Sequence, residues 1–368
     1  MNILVLNWRD KKHPRAGGAE VRLHKIYEDL SQRGHTITLV TSRFPGASPS
    51  ELLHGIRILR FGNDYDFWIR VFVLLPRLIR QSDAHIVVED FNKLPFGTPL
   101  RTKTPHLIQM HHLWKKSIFH ECSFPLALFI YLMEQTLRIV YRKSSFIVVS
   151  ESTKKELASM GVDPSHIALV HNGCNLTYYT PPREESTAPP YLLWIGRIQK
   201  YKGIMDALRA FQLLHTSYPD LHLAIAGDGP YKEVVAEWIA DKQLGHRITL
   251  HGFVSTEKKR SLYRHARAVL QTSYKEGWGL TVIEANACGT PVIANRAPGL
   301  CDSVQDNTTG LLYRFGSWRD LARRVKEYVE TPALEAKLRE NCRPWAERFS
   351  WKQAADETEA LLTRKCTP

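Results

Sequence analysis

Glu276-Gly277-Trp278-Gly279-Leu280-Thr281-Val282-Ile283-Glu284 sets two carboxylates eight positions apart around a glycine-rich turn that opens a helix. If the stretch were helical throughout, the two side chains would be separated by roughly 12 Å, at about 1.5 Å per residue, and would lie within about a quarter turn of each other. That reach suits a sugar diphosphonucleoside. An ionised carboxylate only accepts hydrogen bonds and a vicinal diol offers paired donors, so one acid can take hexose hydroxyls and the other ribose hydroxyls. Gly277, Trp278 and Gly279 form the turn, where the glycines let backbone approach closely. The N–H groups at Leu280 and Thr281 would face a diphosphate. The helix lies between strands read at Ala268 to Thr272 and Pro291 to Ala294.

Strands of the same kind precede it at Tyr191 to Arg197, Leu221 to Ala226 and Ile248 to Phe253, giving a second α/β domain. Arg197 and Lys202 fall at the end of the first of these strands and in the loop after it. There a rigid guanidinium and a mobile ammonium can together follow the charge that builds on a departing diphosphate, doing the work of a metal. Gly227-x-Gly229 reads as a turn, since an acidic residue and a proline spoil it as a dinucleotide fingerprint.

The first half alternates in the same way. Ile3 to Asn7, Thr36 to Thr41, Ile56 to Arg60, His85 to Glu89, Leu107 to His111, Phe146 to Ser150 and Ile167 to His171 read as buried parallel strands, with helices such as Ala19 to Gln32 and Ser152 to Met160 between them. This is a doubly wound α/β domain, whose functional edge is the carboxyl ends of its strands. Asn172 to Pro190, with Pro181-Pro182 and Pro189-Pro190, marks a change of character. The expected division is therefore 1–180, a linker at 181–190, a second domain at 191–350 and a final helix at 351–368.

These segments occur in a fixed order: Gly17-Gly18-Ala19-Glu20, His111, Gly196-Arg197 with Lys202-Gly203, Ala226 to Pro230, Gly252-Phe253-Val254 and Ser273 to Pro291. Together they resemble the retaining glycosyltransferases of group 1, also called family 4, over nearly the whole chain. The resemblance implies two Rossmann-like domains facing across a cleft, the GT-B architecture, with the last helix, Trp351 to Arg364, returning to the first domain. It implies a hexosyltransferase that uses a nucleotide sugar, retains anomeric configuration and requires no metal or cofactor. Glu276 would hold the hexose, Glu284 the ribose, Arg197 and Lys202 the diphosphate, and His111 the reacting sugar. Gly17 and Gly18 would close over phosphate, and backbone at Phe253 and Val254 would face the base. His112 stands where many relatives carry Asp, Gly or Gln. A nucleotide-sugar epimerase on the same fold and a nonenzymatic nucleotide-sugar binder are the rival readings. The base, the hexose and the hydroxyl acceptor stay open.

With 43% hydrophobic and 24% charged residues, the 368-residue chain has the composition of a globular protein with two cores. No apolar run reaches the roughly 20 residues of a membrane span; Phe124 to Met133 ends at Glu134. No secretory signal is read at Met1 to Leu6, so a cytoplasmic location is expected, with peripheral contact at an anionic membrane as an option. The six cysteines form no C-x-x-C pair, which points to reduced thiols. The net charge of +13 is concentrated in residues 1–180, where 23 Lys or Arg face 15 Asp or Glu, a net +8. Such a bias suits a phosphorylated acceptor or an anionic surface. No zinc-finger spacing, aromatic RNA signature or long basic run is present, so nucleic acid is not expected as a partner. Asp64-Tyr65-Asp66 has the form of a metal motif of unrelated transferases but reads as a turn. Phe67 to Arg80 reads as an Arg-bearing helix packed on its own domain, with acceptor or membrane contact as a second use.

Overall fold

The computed structural model describes residues 1–92, 94–182 and 190–367, which divide into two compact units. The first comprises Met1–Gly173 with Trp351–Pro368 and the second Cys174–Ser350.

In the first unit, β1 (Asn2–Leu6), β2 (Thr36–Ser42), β3 (Ser50–Leu53), β4 (Ile56–Phe61), β5 (Ile86–Phe91), β6 (His106–Met110), β7 (Ser145–Val148) and β8 (Ile167–Leu169) form one sheet. Its order is β3-β4-β2-β1-β5-β6-β7-β8. All neighbours are parallel except β3 and β4. The central strands are apolar on both faces because helices cover both, as parallel sheets require. The seven strands read from the sequence are present, with ends shifted by a residue or two. The hairpin strand β3 was not anticipated. It is four residues long and only half buried, and its tight turn, His54-Gly55, has φ of 47° and 82°, the geometry of a two-residue hairpin.

The second unit contains β9 (Tyr191–Ile195), β10 (His222–Ala226), β11 (Ile248–Gly252), β12 (Ala268–Gln271), β13 (Val292–Asn295) and β14 (Gly310–Tyr313). All are parallel in the order β11-β10-β9-β12-β13-β14. Strand order reverses between β9 and β12, the point at which doubly wound sheets open a crevice beyond their carboxyl ends. β14 was also unforeseen. It begins with Gly310, where any Cβ would stand 2.1 Å from the Val292 carbonyl oxygen, and glycine weakens a strand signal.

The division between units falls at Gly173 rather than at 180. Residues 174–180 are tied to the second unit: the Cys174 N–H donates to the Phe349 carbonyl at 3.0 Å. Arg343 donates to the carbonyls of Leu176 at 3.0 Å and Tyr179 at 2.6 Å. Of the expected linker, residues 183–189 lie outside the described residues. The helix Trp351–Cys366 belongs to the first unit, where Ala354 and Leu362 join the core of Leu23, Ile26 and Leu30. Arg33 and His35 both pair with Glu359 at 2.7 Å. All six cysteines are free.

Candidate functional site

In the second unit the loops after β9 and β12 are joined at the switch point. The Trp194 indole N–H donates to Thr272 Oγ1 at 2.9 Å, and the Thr272 hydroxyl donates to the Lys202 carbonyl at 2.8 Å. Gly203 makes the close approach possible: its φ is 66°, and a Cβ there would lie 2.2 Å from the Thr272 carbonyl oxygen. Lys202 is thereby held against Glu276, its ammonium donating to Oε1 at 2.5 Å. Ser273 Oγ donates to the same oxygen at 2.7 Å. Glu276 Oε2 accepts no hydrogen bond among the described residues and stays available to a hydroxyl donor. Burial works to discharge Lys202, but the Glu276 carboxylate together with Tyr201 outweighs it and raises the ammonium's pKa. The positive charge of Arg197 lies close enough to act against Lys202 protonation. Two cations and one carboxylate thus share the carboxyl edge of β9 and β12.

The helix that follows spans Leu280–Ala287, so Glu276 precedes it and the continuous helical spacing considered above does not apply. Gly279, with φ of 86°, turns the chain into the helix. Trp278 is buried with its ring edge-on to Phe349 at 5.0 Å, which holds the turn in place. The Thr281 hydroxyl is bonded by the Gln271 side chain.

Glu284 sits in a separate constellation. Lys259 donates to Oε1 at 2.9 Å and lies 3.0 Å from Oε2, while the Tyr263 hydroxyl donates to Oε2 at 3.0 Å. Lys259 also stands 5.3 Å from the centre of the Tyr179 ring. Burial, then the Glu284 charge, pushes the Tyr263 phenol well above its ordinary pKa, so it remains a donor at any ordinary pH. Lys259, Tyr263 and Tyr179 were not foreseen. A signal existed for two of them: Ser255 caps the helix Thr256–His265 by accepting from the Lys258 N–H at 3.2 Å, and that helix carries Lys259 and Tyr263 four apart on one face. Beyond β11, Phe253 is 86% exposed and presents its ring to solvent beside half-buried Val254.

In the first unit, Gly17 precedes the helix Gly18–Gln32, and the Glu20 carboxylate accepts from the Gly17 N–H at 2.6 Å, fixing the entry. Burial pushes the Glu20 carboxyl up, and the charge of Asp90 adds to the effect against the backbone bonds. His111, just beyond β6, places Nε2 at 3.0 Å from Asp90 Oδ2. The Thr153 hydroxyl donates to its carbonyl at 3.2 Å, so ring and backbone are both held. Asp90, at the end of β5, was missed because its relation to His111 is made by strand pairing; its Oδ1 is buried without a hydrogen bond among the described residues. The His112 ring meets Trp114 edge-on at 4.9 Å. Asp64 and Asp66 are committed to loop structure: Asp64 pairs with Arg15, and Asp66 accepts from the Asn63 N–H at 2.7 Å and from Arg70 at 2.6 Å. Among the described residues, no group of three or more His, Cys, Asp or Glu is placed to hold a metal ion.

Residues 180–345 match the family described as Glycosyl transferases group 1, and residues 16–178 match Glycosyltransferase Family 4. Glycogen synthase of Mycobacterium tuberculosis is 26% identical over 408 residues, covering 97% of this chain and 93% of that protein. Among solved structures, sucrose-phosphate synthase from Thermosynechococcus elongatus superposes with a TM-score of 0.84 at 20% identity, over 98% of both chains. Anabaena HepE, in complex with UDP and glucose, gives a TM-score of 0.76 at 18% identity, over 98% of this chain and 99% of its own. The shared fold is GT-B. Among the described residues, no helix is long and apolar enough to cross a membrane.

Proposed function

The chain belongs to the group 1 glycosyltransferases, and we propose that it moves a hexose from a UDP- or GDP-hexose to an acceptor hydroxyl, with retention and without a metal. The observation that carries this reading is the Lys202–Glu276 pair beside Arg197 at the β9/β12 switch point. In the proposed reaction Arg197 and Lys202 bind the diphosphate and stabilise the charge that develops as the bond between the anomeric carbon and the phosphate oxygen breaks. Glu276 accepts from hexose hydroxyls through Oε2. Glu284, oriented by Lys259 and Tyr263, accepts from the ribose diol. The exposed Phe253 and the backbone at Val254 take the base, and the N–H groups of Leu280 and Thr281 add to the anion site. Gly17, Gly18 and His111 are assigned to phosphate and to the reacting sugar. The acceptor oxygen bonds to the anomeric carbon while its proton passes to the departing phosphate oxygen on the same face, so no separate protein base is needed.

HepE supports a uridine donor by analogy, since its structure holds UDP and glucose. Titration of UDP- and GDP-hexoses against tryptophan fluorescence, followed by assay of donor hydrolysis, tests the reading. Saturable binding and slow hydrolysis of one donor, both weakened by Lys202→Ala, are expected; failure of every nucleotide hexose to bind would overturn it. NMR of the product's anomeric proton then checks retention.

A further inference from the structure

The first unit carries an apolar surface that its fold leaves uncovered. The helix Phe124–Gln135 buries only Ala127, Ile130 and Glu134 on one stripe. Its opposite side exposes Phe124, Leu128, Phe129 and Leu132, the first of them at 67%. The helix Phe67–Gln81 buries Phe67, Val71, Leu75 and Leu78 but exposes Ile69 and Val73. The two helices touch, the rings of Trp68 and Phe129 meeting at 6.1 Å. Single exposed leucines are ordinary on a protein surface, but large apolar side chains on two touching helices mark an interaction site.

The exposed charges on the two helices themselves are one-sided. The sole acid of the helix Phe124–Gln135, Glu134, is buried and accepts from the N–H groups of Trp114 and Lys115, both at 2.7 Å. Arg77 and Arg80 lie exposed on the helix Phe67–Gln81, and exposed Arg142 and Lys143 follow the other helix, just beyond Ile139, which is 84% exposed. None of these four cations has an ion-pair partner among the described residues. An apolar face flanked by uncompensated cations matches a bilayer whose headgroups are anionic and whose acyl chains begin a few ångströms deeper. It matches a second copy of this surface poorly, since the same cations would then face each other.

We propose that this face of the first unit seats on an anionic lipid bilayer, with Phe124, Leu128, Phe129 and Leu132 entering the interface and Arg77, Arg80, Arg142 and Lys143 meeting lipid phosphates. Attachment is peripheral, and it does not depend on the donor chemistry proposed above.

Cosedimentation of the full chain with phosphatidylcholine vesicles, with and without phosphatidylglycerol, tests the assignment. Binding should require phosphatidylglycerol and fall severalfold when salt is raised so that the screening length drops from about 10 Å towards about 3 Å. Arg142→Gln with Lys143→Gln should weaken it by about tenfold or more, and Leu128→Gln with Leu132→Gln by a similar factor. Both double variants should keep the parent's thermal melt and donor-induced fluorescence change, and Leu213→Gln, an exposed leucine of the second unit, should bind vesicles as the parent does. The parent's lipid and salt dependence stands as a test even where a variant fails to fold. The proposal is overturned if the parent ignores anionic vesicles, or if binding is indifferent to salt and to both double variants. It is equally overturned if the leucine variants alter only the lipid-free sedimentation coefficient, which would show that a second copy covers the face.

Discussion

Replacing Glu276 by Gln keeps the shape of the side chain and removes one charge, so its consequences can be followed atom by atom. In the parent, Lys202 is held charged because burial and the repulsion from Arg197 are outweighed by Glu276, through its charge and its hydrogen bond, together with Tyr201. With a neutral amide in its place the larger of the raising influences is lost, leaving only Tyr201 against burial and Arg197, and the Lys202 pKa falls. The folded protein tolerates the change, since an amide oxygen can still accept from Lys202 and from Ser273; loss of charge assistance costs about 1–2 kcal/mol. Under the proposed roles turnover suffers more, because a weakened hydrogen-bond acceptor for the hexose and a less firmly charged lysine would both act on the transition state. Loss of one such contact is worth about 10²–10³ in kcat, or about 3–4 kcal/mol. The sign with pH follows: the parent's Lys202 stays charged through neutral and mildly alkaline pH, whereas activity of the variant should begin to fall at lower pH than the parent's. The assay is a pH series of kcat on the saturating donor, with far-UV circular dichroism on each sample. Coincident pH profiles at parental turnover would refute the argument, because Glu276 would then govern neither the lysine's charge nor the sugar.

Asp90→Asn should leave the fold intact but loosen the His111 ring, lowering kcat by about 10²-fold with little change in donor KM; an unchanged kcat would remove His111 from the reaction. Turnover should persist in excess EDTA, and complete loss rescued by Mg²⁺ or Mn²⁺ would show that the two cations do not suffice. Arg60→Met should destabilise the first unit by about 3–5 kcal/mol, because Asp10, whose side chain is fully buried 2.6 Å from Arg60 Nε, would keep its charge without its partner. In the parent, burial raises the Asp10 pKa but the bonds from Arg60 and the Lys12 N–H lower it overall, so its contribution is present above the carboxylate range and is lost on acidification. In the variant burial prevails and the pKa rises, so the stability gap measured by urea titration should narrow as pH falls. A gap independent of pH would contradict that account.

The strands were legible where burial on both faces imposes an unbroken apolar run, as in Leu4-Val5-Leu6 and Leu192-Leu193-Trp194, all almost fully buried. β3 and β14 escaped because a half-exposed edge strand and a strand that opens with glycine carry little of that signal. The switch point was legible only through chemistry: a Gly-Arg…Lys-Gly loop and a distant Glu suggest an anion site, while strand pairing brings them to one edge. The same limit explains Asp90 and Lys259. Asp90 meets His111 only because β5 and β6 are neighbours, and nothing between them in the chain encodes that.

Glu284 shows where spacing stops being informative. Its distance from Glu276 in the chain marks both as acids of one motif, yet the structure gives them different surroundings. Glu276 faces Lys202 and Ser273 with one oxygen left open, whereas both oxygens of Glu284 are engaged by Lys259 and one also by Tyr263. A carboxylate already oriented by an ammonium and a phenol is held in one rotamer, which reduces the entropy lost when a diol binds. A carboxylate with one oxygen unengaged among the described residues can instead, in the proposed reaction, take a further hydrogen bond as charge moves onto the leaving group. Under the roles proposed for them, Glu284 is suited to rigid recognition and Glu276 to adjustable chemistry, and the two acids should not be interchangeable despite their shared motif.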